Sequence, residues 1–434
     1  MRTVSFFTLG CKVNFSESDS LAGVFEKSGY KLLDFKDLCD VYVINTCSVT
    51  AESERKSRQK IRQARNKNSS AVIAVIGCYG ERAAEKIYGL GADIVVGTSG
   101  KNTLPQLIEK HIEGNAVHNS SEVCGCTEFD RLSGCQKSES AQSFEEFDTE
   151  SGGALGRMRA VIKVQDGCDS FCSFCIIPHL RGRSRSRSFN SAVEAAGFFA
   201  RRGCMELVVT GINLSTYSSE GHDFITLLEG ISEAFLSQGT SYGIRIRIGS
   251  LSPAFMTRNN VSRLMAVPGL CRHFHLSLQS ACDKTLKRMN RKYSFQQYID
   301  CLNEIRSLDP YAGITTDVIV GFPGETEDDF SESLSNIERC SFSDIHVFPY
   351  SKRPLTAAAS FADAVSGEEK ARRAELVRES AKISKRRFAE KNFGRRLTVL
   401  FEGDGFGYTE NYIKIKGVGT GFREVCISGE NAVF

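Results

Sequence analysis

The segment Cys168-Asp-Ser-Phe-Cys172-Ser-Phe-Cys175 gathers three thiols in the spacing C-x3-C-x2-C. Thiolates are soft ligands that suit zinc and iron–sulfur clusters. A structural zinc site is closed by four protein ligands, whereas three cysteines on a 4Fe-4S cluster leave one iron open to a further ligand. The segment therefore predicts a catalytic 4Fe-4S cluster. A zinc knuckle, or a chance grouping among 16 cysteines, is the alternative.

The cysteine segment follows an apolar run that reads as a β-strand. Similar runs recur down the chain with helical stretches between them, which predicts a partial (β/α)6 barrel. The six predicted strands span residues 160–164, 206–210, 244–248, 273–278, 314–320 and 344–348. Barrel enzymes carry their chemistry at the carboxyl ends of the strands, and that is where the cysteine segment lies.

Small and polar residues follow several of these predicted strands. They include Gly211, Asn213, Ser250 and Gln279, and Asp317 lies within the fifth strand. Such residues at the active face of a barrel can bind a cofactor. The alternative for each of them is ordinary turn chemistry, because Gly, Ser and Asn suit turns.

The first part of the chain alternates short apolar strands with amphipathic helical stretches, which predicts a parallel α/β domain. Its strands span residues 3–9, 41–45, 71–76 and 93–96. Cys11, Cys47 and Cys78 each follow the end of one of the first three strands. Because parallel strands end along one edge of a sheet, a second three-thiolate site is predicted there. The alternative is three separate thiols, since cysteine is often an inert core residue.

Residues 119–153 break this pattern. Between residues 120 and 150 the chain carries eight acidic residues against two basic ones, with no sustained periodicity. This composition predicts an acidic linker or insertion. Its cysteines, Cys124, Cys126 and Cys135, are left unassigned, because a flexible linker is a poor support for a rigid cluster.

The end of the chain changes character again. A long basic helix is predicted over residues 367–390, followed by short strands at 397–401, 412–416 and 425–428 with Gly-containing turns between them. So small a β module is expected to dock on its neighbour and to serve in binding. Residues 370–396 carry eleven Lys or Arg against three Glu, and residues 52–67 carry seven against two. Such runs indicate either solvated helix faces or contacts with nucleic acid.

Composition restricts the protein class. The 434 residues predict about three domains. The N-terminus lacks the features of a signal peptide, and no apolar run approaches the ~20 residues that cross a bilayer. We therefore expect a cytoplasmic protein in a reducing compartment and no membrane partner. Sixteen cysteines in such a compartment favour metal binding over disulfides.

The order of these parts resembles the radical S-adenosylmethionine methylthiotransferase family. The resemblance is carried by Thr8-Leu9-Gly10-Cys11-Lys12-Val13-Asn14, Asn45-Thr46-Cys47-Ser48-Val49-Thr50, Gly77-Cys78, the C-x3-C-x2-C segment, His275-Leu276-Ser277-Leu278-Gln279-Ser280, Arg288-Met289-Asn290-Arg291 and residues 316–326. It implies an N-terminal Rossmann- or flavodoxin-like methylthiotransferase domain at 1–118. The 119–153 insertion, a radical barrel with its trailing basic helix at 154–390 and a TRAM-like RNA-binding domain at 391–434 would follow.

The resemblance also implies a two-cluster enzyme. Cys168, Cys172 and Cys175 would bind the 4Fe-4S cluster that cleaves S-adenosylmethionine, and Cys11, Cys47 and Cys78 would bind an auxiliary 4Fe-4S cluster. Gly211, Asn213, Ser250, Gln279 and Asp317 would contact S-adenosylmethionine. One S-adenosylmethionine would methylate a sulfur, and another would give the radical that removes hydrogen from the target carbon. The partners would be the anticodon loop of a tRNA and a low-potential electron donor.

Three details resemble the branch of the family that methylthiolates C2 of N6-threonylcarbamoyladenosine next to the anticodon. They are Gly10-Cys11-Lys12-Val13-Asn14, the segment Arg181-Gly182-Arg183-Ser184-Arg185-Ser186-Arg187 and the segment Gly407-Tyr408-Thr409-Glu410-Asn411-Tyr412. The arginines of the second segment could hold a carboxylate or phosphate, or could form a solvated basic loop. Other branches act on isopentenyladenosine or on a ribosomal-protein aspartate. A non-catalytic iron–sulfur RNA-binding protein is a further alternative.

Overall fold

A computed structural model of the chain describes residues 1–114, 143–146, 158–237 and 244–434. The predicted linker lies almost wholly outside the described residues, and so do Cys124, Cys126 and Cys135. In the described ranges, no helix combines the length and apolar composition needed to cross a bilayer.

The N-terminal unit is a five-stranded parallel sheet with helices on both faces. In chain order its elements are β1 (Thr3–Thr8), α1 (Lys12–Lys27), β2 (Lys31–Leu33), β3 (Val41–Thr46), α2 (Ala51–Lys67), β4 (Val72–Gly77), α3 (Cys78–Tyr88), β5 (Ile94–Val96) and α4 (Leu104–Ile112). The strand order is β2-β1-β3-β4-β5. Strands β3 and β4 are buried throughout because both sheet faces are covered.

The second unit is an open barrel of six parallel strands with outer helices. Its main elements are β6 (Arg159–Lys163), α5 (Ile177–Arg181), α6 (Phe189–Arg201), β7 (Glu206–Thr210), α7 (Phe224–Leu236), β8 (Arg245–Ile248, continued by Ser250–Leu251), α8 (Arg258–Ala266), β9 (His273–Leu276), α9 (Asp283–Arg288), α10 (Phe295–Leu308), β10 (Gly313–Val320), α11 (Glu327–Cys340) and β11 (Asp344–Pro349). Parallel pairing runs β6-β7-β8 and, from the continuation of β8, on to β9-β10-β11. Short two-residue strands pair at Gln165–Asp166 with Arg185–Ser186 and at Ser218–Ser219 with His222–Asp223.

Alternation along the strands divides the barrel residues into two sets. Ile246, Ile248, Phe274 and Leu276 face outward into the large core under the helices. The residues between them, such as Arg247 and the two histidines of β9, face the interior of the barrel. The barrel interior is therefore polar and charged, whereas the helix-facing side is apolar.

A third unit closes the amino-terminal end of the barrel. Helix α12 (Gly367–Lys391) leads into an antiparallel sheet of β12 (Arg396–Glu402), β13 (Phe406–Thr409), β14 (Lys414–Lys416) and β15 (Thr420–Cys426). Arg247 Nη2 donates to the carbonyl of Thr409 at 3.0 Å, and the rings of His273 and Tyr412 stack at 4.3 Å. A Cβ on Gly313 would lie 2.1 Å from the Asn411 carbonyl oxygen, so this close approach requires glycine.

The predicted α/β class is confirmed, and the small β module docks on its neighbour as expected. The structure adds β2 and β13, which were absent from the prediction, and places the last strand earlier in the chain, at Thr420–Cys426. Strand β2 is a three-residue edge strand and β13 is four residues long, so neither gives a sustained period in the sequence.

Candidate active site

The three cysteines of the first domain meet at the carboxyl edge of its sheet. Cys11 is the N-cap of α1, Cys47 directly follows β3, and Cys78 is the first residue of α3. A Cβ on Gly10, which has φ +104°, would lie 3.1 Å from Cys47 Sγ. Only glycine allows the two loops to approach this closely.

These thiols influence one another's pKa values. Burial raises the pKa of Cys78 to about 11; the Arg181 guanidinium lowers it, and the thiols of Cys47 and Cys11 raise it. Burial also raises the pKa of Cys47, on which Cys11 acts as well. Thiolates this close repel one another, so all three can be deprotonated together only beside a positive charge. The iron ions of a cluster supply that charge.

The surroundings of this cysteine set fit an anionic cluster. Cys11 and Cys78 lie at helix N-termini, where free amides and the helix dipole favour negative charge. Arg181 is 1% exposed, and its Nε–H has no hydrogen-bond partner among the described residues. A sulfur-rich anion beside Cys78 would supply an acceptor for an orphaned donor of this kind.

The second set of cysteines lies on the loop after β6. Cys172 is buried, whereas Cys168 and Cys175 are partly accessible. Burial raises the pKa of Cys175 to about 12; the Ile177 amide lowers it, and the thiols of Cys172 and Cys168 raise it further. The predicted set is therefore brought together here as well.

Donors point at the sulfur atoms of this loop. Arg291 Nη1 donates to Cys172 Sγ at 3.3 Å, and the Ser170 amide donates to Cys168 Sγ at 3.4 Å. Asn213 Nδ2 lies 3.9 Å from Cys168 Sγ. Such hydrogen bonds stabilise cluster sulfur and tune the cluster's potential. These donors suit the loop to an iron–sulfur cluster. Arg291 is one of them, and the sequence did not indicate this role.

A cavity of about 190 Å³ opens beside Cys175. Gln279 and Asp317 from the barrel line it together with Val49 and Thr50, which follow Cys47 in the first domain. Apolar side chains complete the wall: Phe174, Ile176, Ile177, Ile319, Phe348 and Tyr350. The cavity therefore lies where the two domains meet, beside Cys175 and close in sequence to Cys47, and its largely apolar wall with a few polar groups is typical of a ligand site.

The predicted S-adenosylmethionine contacts are spread around the carboxyl ends of the strands. Gln279 and Asp317 line the cavity. Gly211 packs so closely on the Gln165 side chain that a Cβ would lie 2.9 Å from its Cβ, and the same glutamine accepts a hydrogen bond from the Asn213 amide. Ser250 begins the continuation of β8. Gly211, Asn213 and Ser250 are not among the residues that line the cavity, and of these three Asn213 lies beside Cys168 of the cysteine loop.

The arginines of residues 181–187 do not form a solvated loop, nor a free anion site. Arg181 donates to Glu17 and Asp166 at 3.0 Å, and Arg185 pairs with Asp166 at 3.4 Å. Only Arg183 of this group is largely exposed, and it pairs with Asp169. The sequence left two roles open for these arginines, a carboxylate or phosphate site and a solvated basic loop, and neither fits Arg181 and Arg185, because buried carboxylates occupy them.

These pairs belong to a buried network that joins the two domains. Glu17 of α1 contacts Arg181, Lys163 and Lys101 at 3.0, 3.2 and 2.6 Å. Arg181 Nη2 also donates to Asn14 Oδ1 at 2.7 Å, and Asn14 donates to the Thr46 carbonyl beside Cys47. The Arg181 guanidinium, which follows the loop of Cys168, Cys172 and Cys175, is therefore connected through Asn14 to the loop of Cys47.

The interior of the barrel carries a polar relay that sequence reasoning missed. Thr315 Oγ1 lies 3.0 Å from both His273 Nε2 and His275 Nδ1, and His275 Nε2 lies 3.2 Å from Asp317 Oδ2. The ring of His346 stacks near that of His275, with centroids 5.9 Å apart. Polar residues at alternate positions along β9, β10 and β11 were the available signal. The relay connects the floor of the barrel to the cavity.

Two family models match the chain. Residues 3–97 match Uncharacterized protein family UPF0004, and residues 162–337 match the Radical SAM superfamily. Together they cover both cysteine sets.

Similar proteins extend over almost the whole chain. The threonylcarbamoyladenosine tRNA methylthiotransferase MtaB of Bacillus subtilis (strain 168) is 36% identical, covering 97% of this chain and 91% of that protein. Its counterpart from Aquifex aeolicus (strain VF5) is 35% identical, with coverage of 97% and 98%. A tRNA-2-methylthio-N(6)-dimethylallyladenosine synthase of Pelotomaculum thermopropionicum is 32% identical, with coverage of 95% and 90%.

Solved structures share the fold. The radical S-adenosylmethionine methyltransferase TsrM from Kitasatospora setae, with cobalamin and a [4Fe-4S] cluster bound, superposes with a TM-score of 0.57 at 16% identity, covering 82% of this chain and 77% of that one. The cobalamin-dependent S-adenosylmethionine radical enzyme OxsB, with aqua-cobalamin and S-adenosylmethionine bound, gives 0.54 at 17% identity, covering 90% and 56%. These likenesses establish the architecture alone.

Proposed function

The chain belongs to the radical S-adenosylmethionine tRNA methylthiotransferases, and from that premise we propose that it methylthiolates C2 of N6-threonylcarbamoyladenosine next to the anticodon of tRNA. The observation that carries the proposal is that one cavity is lined both by Cys175 of the radical loop and by Val49 and Thr50, which follow Cys47 in the first domain. Sulfur insertion needs a radical source and a sulfur source on either side of one carbon, and this arrangement provides a place for each.

Each cysteine set has a defined place in this proposal. Cys168, Cys172 and Cys175 would hold the 4Fe-4S cluster that binds S-adenosylmethionine, and Cys11, Cys47 and Cys78 would hold an auxiliary 4Fe-4S cluster. When bound, the first cluster together with S-adenosylmethionine would supply a 5′-deoxyadenosyl radical, and the auxiliary cluster would supply the sulfur that is transferred. Cys78 packs against Ile176 and Leu180, which directly follow the radical loop, so the two sets share one apolar wall.

The remaining residues of the site orient the reactants and exclude water. Gln279 and Asp317 would bind S-adenosylmethionine by polar contacts from the barrel side of the cavity. The aromatic rings of Phe174, Phe348 and Tyr350 offer faces on which an unstacked base can lie. An apolar wall keeps water from a reactive radical.

RNA backbone contacts would come from the basic face of α2. This helix begins four residues after Cys47, at Ala51, whose amide donates to Ser351 Oγ at 3.1 Å, so it leads directly away from the site. Arg55, Lys56 and Arg62 are exposed on it. Exposed cations on a helix that leaves the site suit phosphate binding. The segment Gly407–Tyr412 instead seals the barrel floor, so RNA contacts of the last domain would need other surfaces.

The substrate assignment rests on small differences among relatives. Relatives named for threonylcarbamoyladenosine are 34–36% identical, and relatives named for dimethylallyladenosine are 30–33% identical.

Mass spectrometry of tRNA nucleosides from cells with and without the gene tests the proposal. We expect loss of 2-methylthio-N6-threonylcarbamoyladenosine and a rise in its unthiolated precursor. Loss of the isopentenyl counterpart would retain the chemistry and overturn the substrate. If no tRNA nucleoside changes, the proposed function is wrong, and ribosomal protein is the next substrate to examine.

A further inference from the structure

Three potential metal ligands lie on adjacent strands inside the barrel. His275 is on β9, Asp317 on β10 and His346 on β11. In the parallel register Asp317 lies beside His346, and His275 lies beside Thr315, which precedes Asp317 by two residues. Residues two apart along a strand share a face. The topology therefore brings two imidazoles and one carboxylate to the same face of the barrel wall.

The ligand atoms of these three side chains are close enough to share one ion. His275 Nε2 lies 3.2 Å from Asp317 Oδ2. One ligand atom from each of the three residues lies within 4.8 Å of the other two. Ligands bound to an ion at about 2.0–2.2 Å in tetrahedral geometry lie about 3.2–3.5 Å from one another. The His275–Asp317 pair already has this spacing, and a rotation that moves the His346 nitrogen by about 1 Å completes it.

Two of the three ligands are held in place, and the third is free to rotate. Thr315 Oγ1 lies 3.0 Å from His275 Nδ1, and the other ring nitrogen, Nε2, lies beside Asp317. A hydrogen bond on the second ring nitrogen is typical of metal-binding histidines. His346 is exposed, and its ring stacks near that of His275 at an interplanar angle of 28°. Among the described residues, its ring nitrogens have no hydrogen-bond partner.

The ligand types indicate the class of ion. Two imidazoles and one carboxylate suit a divalent transition-metal ion such as Fe²⁺ or Zn²⁺, and no thiolate takes part. Three protein ligands leave coordination positions open to a further molecule. Asp317 also lines the cavity of about 190 Å³ beside Cys175, so the open positions border that cavity. None of the described side chains that line the cavity is a cation, so a bound ion would be its source of positive charge.

We propose that His275, Asp317 and His346 bind a divalent transition-metal ion whose open positions take an oxygen ligand from a molecule in the cavity. This site is separate from both cysteine sets, and the inference does not depend on the proposed substrate. Asp317 Oδ2 binds the ion, which leaves Oδ1 for the polar contact with S-adenosylmethionine proposed above. The ion replaces the direct contact between His275 and Asp317.

The test titrates Mn²⁺ into the full-length, cluster-reconstituted protein. Mn²⁺ prefers harder ligands than thiolates, so the cysteine sets do not compete for it. Oxidised 4Fe-4S clusters have no net spin, so the electron paramagnetic resonance signal reports Mn²⁺ alone. We expect wild type to bind one Mn²⁺ per chain and to show nitrogen coupling from imidazole in pulsed spectra.

Variants then assign the ion to these side chains. His346→Phe keeps a ring beside His275 and removes the ring nitrogens, and Asp317→Asn keeps the shape of the side chain and removes its charge. Each should weaken Mn²⁺ binding by at least about tenfold to a hundredfold, the cost of losing even an outer hydrogen bond of a metal site. His222→Phe is the control, because His222 also stacks on an aromatic ring, that of Phe189 at 4.0 Å, but is not part of the group. It should bind Mn²⁺ as wild type does.

Three results would overturn the inference. Absence of Mn²⁺ binding to wild type at millimolar concentration would show that His275 and Asp317 form an ordinary ion pair. Binding without nitrogen coupling would assign the ion to carboxylates elsewhere on the protein. Equal affinity of wild type and His346→Phe would exclude this site. Iron content, measured for every variant, distinguishes loss of this site from loss of a cluster.

Discussion

The two cysteine sets form similar three-thiol sites, but their cysteines are arranged differently in the sequence. Cys168, Cys172 and Cys175 lie on one loop, whereas Cys11, Cys47 and Cys78 come from three strand ends up to 67 residues apart. Each set consists of three mutually close thiols with a guanidinium nearby, Arg291 for the first and Arg181 for the second. The first site is therefore specified by local spacing, and the second by the topology of a parallel sheet.

The largest expected effect separates the two sets by their chemistry. Alanine at Cys168, Cys172 or Cys175 should abolish both 5′-deoxyadenosine formation and methylthiolated product, because the proposed S-adenosylmethionine-binding cluster loses a ligand. Alanine at Cys11, Cys47 or Cys78 should leave some cleavage but no sulfur insertion. Chromatography of 5′-deoxyadenosine and mass spectrometry of the RNA measure the two outcomes. Full methylthiolation by the second group of variants would contradict the two-cluster assignment.

The next effect tests whether topology alone builds the second site. Gly10→Ala places a Cβ 2.9 Å from the Cys47 Cβ at a residue with φ +104°. We expect the auxiliary site to be lost and iron to fall from about eight to about four per chain, the content of a single 4Fe-4S cluster. Iron analysis measures this loss. Cleavage of S-adenosylmethionine, which depends on Cys168, Cys172 and Cys175, should continue and shows that the radical site is intact.

Gly29→Ala is the matched control for Gly10→Ala. Gly29 also has positive φ, +84°, but nothing lies within 4 Å of the position that its Cβ would take. It should carry the same backbone strain and keep its iron. Equal loss of iron in both variants would show that strain in the first domain, and not the approach of two loops, is responsible.

The difference between the two sites also sets what the sequence could predict. The strand–helix alternation and the C-x3-C-x2-C spacing are local signals, and the fold class followed from them. The meeting of Cys11, Cys47 and Cys78 could be inferred because parallel strands share an edge. Arg291 and Arg181 could not be assigned to the sulfur atoms, because their contacts bridge 119 residues in one case and two domains in the other. Alternation along a strand indicates which face each residue lies on, but it does not indicate which residue that side chain contacts across the barrel.

A smaller effect concerns the network that keeps the two sites in register. Glu17→Gln removes the carboxylate shared by Arg181, Lys163 and Lys101 and leaves buried cations unpaired. Loss of one member of a buried pair costs about 3–5 kcal/mol. We expect a decrease of that order in the free energy of unfolding, measured by denaturant titration. A decrease below about 1 kcal/mol, the level of an exposed pair, would contradict the structural role.

The pH dependence of the same network has a definite sign. Burial alone would raise the pKa of Glu17, but Arg181, Lys101 and Lys163 outweigh it and hold the pKa well below its ordinary range. A carboxyl whose pKa is depressed by folding stabilises the protein above its unfolded pKa, about 4.3, and loses that contribution as pH falls through the folded value. The stability difference between wild type and Glu17→Gln should therefore stay constant from pH 8 to pH 5 and shrink in more acidic solution.

The smallest effect distinguishes the guanidinium of the radical loop from the guanidinium of the domain interface. Arg291→Gln removes a positive charge 3.3 Å from Cys172 Sγ. A cation and its hydrogen bond stabilise the reduced, more negative state of a cluster, so their loss lowers the reduction potential. We expect the radical cluster to shift on the order of tens of millivolts to more negative values, with slower S-adenosylmethionine cleavage. Potentiometric titration followed by electron paramagnetic resonance resolves the two clusters.

Arg288→Gln is the control for Arg291→Gln, because Arg288 lies three residues earlier and directs its Nε–H at the Pro323 carbonyl and not at a sulfur atom. It should leave both potentials unchanged. A shift of both clusters in Arg291→Gln would indicate a general change in the protein's charge and not a contact of the radical loop. A shift confined to the radical cluster would show that the local loop, like the strand-end set with Arg181, depends on a cation supplied from elsewhere in the chain.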